Sequence, residues 1–316
     1  MRAAILPKYG PAAELQVQSV ETPTPSPNQV LVKIHASSIN PIDWKIRNGF
    51  FVLRLIFGFM RPRNHILGID FSGEIIELGS AITKFKLQDQ VIGATIGGAH
   101  AEYICVEESK LAYKPQSMSF QESAGVPLAG LTALQALRDK GNIGPDQNIL
   151  IYGASGGVGT FAVQLGNYWG SNITGVCSTP SIPLVKSLGA KTVIDRTNLD
   201  QQLSKNQYDI IFDAAGHGSY GTFKKFLTPN GIYIASTPHM RDFLPLLLTI
   251  VRRKKAKTLI ARLDGQDLAI ISKQIEEGHV RTIIDSIYQL EDIASAHLHA
   301  EQGHSKGKVI VQIANE

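Results

Sequence analysis

An α/β protein is what this sequence predicts: a doubly wound parallel sheet joined to a β-rich domain. Three observations carry the prediction. Five unbroken apolar runs, "NILIYG", "NITGVCS", "KTVIDR", "YDIIFDAAG" and "GIYIAST", succeed one another from residue 148 onward, and such runs read as strands covered on both faces of a parallel sheet. Helical stretches such as "TFAVQLGNYWG" and "PLVKSLGA" lie between them, the second closing on Gly189 as a helix C-cap. Before all of these, residues 1 to 110 alternate in short apolar and polar runs broken by Pro and Gly, the pattern of a Greek-key or barrel-like β-domain.

Taken in order, "AAILPKYG", "QVLVKIHASSIN", "GEIIELG", "QVIGAT" and "HAEYICV" are the strands of the β-domain, with "TPTPSP" at 22–27 a surface loop between two of them. The rhythm turns to strand-then-helix after about residue 120. Beyond residue 262 two helices, "DLAIISKQIEEGHV" and "EDIASAHLHAEQGH", lead to a last strand, "KGKVIVQIA". The expected division is a β-rich substrate domain of 1–122 with 263–316, and a dinucleotide-binding domain of 123–262. No internal repeat is visible.

Composition narrows the function. The chain has 316 residues, 43% hydrophobic, enough for one or two filled cores. With 31 basic against 27 acidic residues the net charge is only +4, which argues against nucleic acid as the partner. The two cysteines, Cys105 and Cys177, lack CxxC spacing and read as buried free thiols of a reducing cytoplasm. "MRAAILPKYG" meets Pro and Lys too early for a signal peptide. The longest apolar stretches, "FFVLRLIFGFM" and "FLPLLLTIV", fall short of the roughly 20 residues of a membrane span. A cytoplasmic protein without an integral membrane segment is expected.

The densest chemical signal is "ILIYGASGGVGTFAVQLG" at 149–166. Ala154, Gly156 and Gly159 stand at the spacing of the dinucleotide fingerprint, with alanine for its first glycine, and Gly153 and Gly157 add backbone freedom. A strand precedes the glycines and a helix follows, so main-chain N–H groups of Ser155, Gly156, Gly157 and Val158 are expected to receive a pyrophosphate at the positive end of a helix. From Gln147 to Ile194 there is no Asp or Glu to grip a ribose 2′-hydroxyl. In its place stand Ser178, Thr179 and Ser181, with Lys186 nearby. NADPH is therefore preferred to NADH, the alternative for these hydroxyls being ordinary capping.

With "NPIDWKIRNG" (40–49), "LGIDFSGEIIELG" (67–79), "GVPLAGLTALQAL" (125–137) and the closing "GKVIV", the whole chain resembles the medium-chain dehydrogenases/reductases. Within them the likeness is to the zinc-free quinone oxidoreductase, or zeta-crystallin-like, branch. The resemblance implies a GroES-like β-domain beside a Rossmann domain. Zinc alcohol dehydrogenases of the superfamily carry metal ligands where this chain has Asn40, Ile69 and Ala129, none of which offers a thiolate or imidazole. No metal is expected. His297, His299 and His304 read as a solvated helix face rather than a metal cluster.

A metal-free hydride transfer suits acceptors that need only hydrogen-bond donors for the developing charge, namely quinones and α,β-unsaturated carbonyls. The resemblance assigns Asn40 and Asp43 to the nicotinamide end of the cleft and Thr132 to the back of the ring. Asp43 reads equally well as a helix cap. Ala215 with Gly216, and Ser236 with Thr237, end parallel strands where such sheets bind ligands. No His or Tyr stands out as a proton donor. The alternatives are a non-catalytic NADPH-binding sensor or scaffold and a ketone or aldehyde reductase. "FFVLRLIFGFMRPRNH" (50–65) reads as one wall or lid of an apolar pocket or as core packing, and "VRRKKAKT" (251–258) as a solvated face or a membrane-surface contact. "GIYIAST" is a candidate edge strand for the homodimer that the resemblance implies.

Overall fold

The computed structural model describes residues 1–62, 65–205, 207–237, 248–249 and 253–314. The chain divides into two compact units, residues 1–128 with 263–277 and 282–316, and residues 129–262 with 278–281.

In the first unit, β1 (Arg2–Ile5) and β2 (Gln16–Ser19) pair antiparallel. The main sheet is built on β3 (Gln29–Ile39) and β4 (Asp70–Leu78), followed by β5 (Gln90–Ala94), β6 (Tyr103–Glu107) and β7 (Leu111–Tyr113). Helices α1 (Pro41–Arg47) and α2 (Phe51–Phe57) fill the passage from β3 to β4, and α3 (Phe120–Ala124) and α4 (Pro127–Gln135) lead out. The β3–β4 ladder is antiparallel with irregular register at Leu31/Val32 and Ile34/Ala36. Bulges of this kind bend a strand, and β3 uses its length to pair β4, β6 and, at its far end, the last strand. Val30, Val32, Ile34, Phe71, Ile75 and Val91 fill the core of this unit, each contributing about 1.5–3 kcal/mol by burial.

The second unit is a six-stranded, wholly parallel sheet. Its strands are β8 (Asn148–Tyr152), β9 (Asn172–Cys177), β10 (Thr192–Asp195), β11 (Tyr208–Asp213), β12 (Leu227–Ala235) and β13 (Lys255–Thr258), in the order β10-β9-β8-β11-β12-β13. The crossovers carry α5 (Gly157–Tyr168), α6 (Ile182–Ser187) and two single-turn helices, α7 (Leu199–Gln202) and α8 (Tyr220–Phe223). Strand order reverses between β8 and β11, the switch point at which open α/β sheets bind ligands. The chain then returns to the first unit with α9 (Gly265–Glu276), β14 (Ile284–Gln289), α10 (Ile293–Glu301) and β15 (Lys308–Gln312), which pairs β3.

Two expectations are corrected here. "GIYIAST" is not an edge, because β12 pairs β11 on one side and β13 on the other. Among the described residues the edge on that side is β13, drawn from the basic run at 251–258, where lysines on an edge discourage further pairing. Residues 251–252 of that run and most of "FLPLLLTI" lie outside the described residues. His297 is not on a solvated face: it is fully buried, its ring edge-on to that of His100 with centroids 5.4 Å apart. His299 does lie on the surface and bonds Asp285 at 2.7 Å.

Candidate active site

Two of the glycines after β8, Gly153 and Gly159, are demanded by space. Gly153 has φ +81°, and a Cβ on it would stand 2.6 Å from that of Ala215. A Cβ on Gly159 would stand 2.1 Å from the Gly153 carbonyl oxygen. The left-handed conformation falls on Gly153 rather than Ala154, so alanine is tolerated at the fingerprint's first position, where it is fully buried. Gly156 is the N-cap of α5 and brings no side-chain cap. The Gly156 N–H donates to the Gly153 carbonyl at 3.1 Å, whereas the N–H groups of Gly157, Val158 and Gly159 open the helix without an intrahelical acceptor, a main-chain cradle of the kind that suits an anion.

Ala215 and Gly216 follow β11, and Ser236 and Thr237 follow β12. The structure brings them to the cradle: Gly153 approaches Ala215, and Gly216 approaches Thr237. What gathers them is Asp213, a residue the sequence reading missed. Its carboxylate accepts N–H groups from Gly216 (2.8 Å) and Gly218 (2.7 Å) and the Tyr233 hydroxyl (3.1 Å), while its carbonyl accepts both N–H and hydroxyl of Ser236. Burial raises its pKa against these bonds. The last residue of "YDIIFD", an acid ending an apolar strand, was the available signal. Thr132 is buried on α4.

At the end of β9 the hydroxyls have protein partners. Ser178 and Ser181 bond each other at 3.2 Å. Thr179 donates to Asp195, which closes the neighbouring strand β10 in register with Cys177. That bond, with two from Thr197, holds the Asp195 carboxyl below its ordinary range. The acid-free window ends one residue short of Asp195, and parallel pairing brings that acid beside the hydroxyls.

The first unit holds a second polar site, made of residues far apart in sequence. Asn40 is the N-cap of α1, and its N–H donates to Asp43 Oδ2 at 2.8 Å, so the capping reading of Asp43 describes a real bond. Asp70 Oδ2 accepts Ser38 Oγ (2.8 Å), Asn40 Nδ2 (2.9 Å) and Lys308 Nζ (3.2 Å); Oδ1 accepts the Leu128 N–H (2.8 Å) at the start of α4. Lys308 also donates to Asn40 Oδ1 at 2.6 Å. The ion pair is sealed, with side chains 4% and 0% exposed. Asn40 thus has one amide hydrogen left over for any ligand. Asp43 is pushed up to about 7, first by burial and also by the Asp70 charge, against the Asn40 bond and Lys308. With Ile46, Phe57, Ile66, Leu67 and Ile96 it lines a small apolar recess.

The donor set does not fit a catalytic zinc. The Asn40 and Asp70 oxygens already bind an ammonium, Ile69 is a buried hydrocarbon, and zinc requires three thiolate, imidazole or carboxylate ligands. Among the described residues no group of three or more His, Cys, Asp or Glu could hold a metal ion.

A glycine-walled helix start at the switch point of a doubly wound sheet, joined in sequence to a β-domain, defines a dinucleotide-binding oxidoreductase fold. The chain belongs to the medium-chain dehydrogenase/reductase superfamily, in its quinone oxidoreductase-like branch. The family models for an alcohol dehydrogenase GroES-like domain and a zinc-binding dehydrogenase match residues 26–116 and 188–311. Quinone-oxidoreductase QR1, chloroplastic, of Triphysaria versicolor is 35% identical, over 99% of this chain and 98% of its own. The chloroplast envelope quinone oxidoreductase homolog of Arabidopsis thaliana is 34% identical, over 96% and 95%. The solved quinone oxidoreductase from Coxiella burnetii superposes with a TM-score of 0.89 at 30% identity, covering 99% of both chains.

Proposed function

We propose that this protein is a zinc-independent, NADPH-dependent reductase of quinones or α,β-unsaturated carbonyls. The observation that carries this reading is the Lys308 ammonium bound between Asn40 and Asp70, which leaves no donor set for a Lewis-acid metal. Without one, the favoured acceptors delocalise the incoming charge themselves. A quinone takes up a hydride and a proton to become the hydroquinone, with NADPH oxidised to NADP⁺.

A bound nicotinamide supplies the hydride. The chain's part is to hold and orient it: the N–H groups of Gly157 and Val158, with that of Ser155 before the helix, bind phosphate, Gly156 lets it approach for want of a side chain, and Ala215, Gly216, Ser236 and Thr237 lie at the strand ends beside them. Asn40 and Thr132 keep the positioning roles that the family resemblance implies. Asp43, half protonated near neutral pH and facing an apolar recess, is the proton source that no His or Tyr provides. NADPH is supported by the hydroxyls of Ser178 and Ser181 at the end of β9. One observation favours NADH: the Asp195 carboxylate beside Thr179 would repel a 2′-phosphate. Free thiols at Cys105 and Cys177 support a reducing, cytoplasmic setting, and a homodimer is checked by light scattering.

The test mixes protein and NADPH with 1,2-naphthoquinone, 2-alkenals and simple ketones, and follows loss of reduced-cofactor absorbance. Turnover of the first two classes is expected. Tight cofactor binding with no turnover would establish the sensor or scaffold reading, and turnover of ketones alone the third.

A further inference from the structure

Helix α2 is apolar on both sides. Its inner side is fixed: Leu53 and Phe57 pack on the core, the Arg54 guanidinium lies 4.8 Å over the Tyr9 ring and donates to the Gly49 carbonyl, and Tyr9 donates to the Gly58 carbonyl. On its outer side Phe51, Val52, Leu55 and Ile56 recur at i, i+1, i+4 and i+5, a stripe at helical period, and Phe59 and Met60 follow just beyond the Gly58 cap. All six are exposed, Phe51 at 67%, Ile56 at 65% and Met60 at 86%, with Phe50 beside them at 52%. A surface helix of a soluble protein turns polar groups outward, and an apolar patch this continuous marks an interaction surface. The charges of its own segment are of one sign, and the Glu301 carboxylate that reaches the segment is bonded to Arg47 and Asn48. Residues 44 to 69 contain Lys45, Arg47, Arg54, Arg61 and Arg63 and no Asp or Glu; Arg47 is paired with Glu301, whereas Arg61 is exposed.

We infer that the outer face of α2 docks on a lipid bilayer containing anionic headgroups. Aromatic and aliphatic side chains enter the boundary between headgroups and acyl chains, and the bases meet lipid phosphate, as in interfacial helices generally. A protein partner matching only the stripe would not call for a segment whose own charges are all basic. The inner residue Phe57 lines the same recess as Asp43, so the docked helix lies next to an apolar cavity of its own unit. Lipid binding requires no turnover, so the inference stands or falls apart from the substrate proposed above.

Flotation of the full chain with vesicles tests it. The protein is expected to float with phosphatidylcholine containing about 30% phosphatidylglycerol, and much less with phosphatidylcholine alone or at about 0.5 M salt. The double variant Leu55→Glu/Ile56→Glu should lower binding about tenfold or more, and Arg61→Glu about fivefold. Leu87→Glu, an equally exposed apolar site on the same unit, should bind as the parent does. Circular dichroism melts show that each variant is folded. Absence of flotation by the parent protein, or unchanged flotation of the folded double variant, overturns the inference. So does a dimer that ignores vesicles and that the double variant converts to monomer, which would assign the face to a second copy of the chain.

Discussion

The two polar sites are built in opposite ways. The cradle of the second unit is main chain from consecutive residues 153–159, and no side chain caps the helix that starts in it. The cluster of the first unit is side chain, drawn from Ser38, Asn40, Asp43, Asp70 and Lys308, and most of its hydrogen-bonding capacity is already spent within the protein. One site is open to a ligand by construction. The other is closed by internal pairing and leaves little beyond the Asp43 carboxyl and one Asn40 hydrogen. A contiguous backbone site depends on local sterics, whereas a dispersed charge site depends on every partner being delivered by the fold.

The sharpest way to break that contrast is Lys308→Ala. It strands a buried carboxylate, and a loss of about 3–5 kcal/mol in urea unfolding is expected. The double variant Asp70→Asn/Lys308→Met should recover part of it. A loss below about 1 kcal/mol would mean the cluster is not held by mutual pairing.

The cradle is tested next by two glycines. Gly159→Ala places a Cβ 2.1 Å from the Gly153 oxygen, so both folding and cofactor binding should suffer, affinity by more than about tenfold. At Gly156 the nearest atom to a Cβ is 3.5 Å away. Gly156→Ala should therefore melt like the parent yet bind NADPH about tenfold more weakly, because the methyl crowds the phosphate and not the protein. Equal losses of stability in both variants would make the glycines structural only.

Stability against pH separates groups of the first unit. Unfolded, Asp43 titrates near 3.8; folded, near 7. Across that window the folded state holds the extra proton, so this group's contribution falls as pH rises from 3.8 through 7. His100 runs the other way, from 6.5 unfolded to about 3 folded, because burial disfavours the imidazolium, and His297 is lowered well below 6.5 for the same first reason. Their contribution is complete above 6.5 and is lost as pH falls toward the folded values. Two imidazoles oppose one carboxyl, so acid below 6.5 should destabilise the protein, and Asp43→Asn should make that decline steeper in thermal melts.

The smallest effect belongs to Asp195→Asn. Removing the charge beside Thr179 should raise the NADPH-to-NADH ratio of kcat/KM about three- to tenfold, the size of one screened charge pair. No change would place the ribose elsewhere.

Legibility in the sequence followed the same division. The strands from "NILIYG" to "GIYIAST" could be read because parallel strands buried on both faces are unbroken apolar runs. The cradle could be read because a tight approach of two backbones admits only glycine. Lys308 lay inside the quoted "GKVIV" and carried no sign of its partners, since Asp70 lies 238 residues away. Asp195 was missed because the search for an acid ran along the chain, while β10 reaches β9 sideways through parallel pairing. "KAKT" looked like a solvated charge run, and its strand hydrogen bonds come from β12.

Periodicity was enough, by itself, to determine the fold class, and glycine spacing to mark a tight strand-to-helix turn after β8. Such features are local, set by side-chain alternation and steric exclusion over a few residues. Which polar groups meet was decided only by tertiary structure: Lys308 against Asp70, Thr179 against Asp195, His100 against His297. Coulomb and hydrogen-bond energies depend on distances in space and on burial, and neither is a function of separation along the chain.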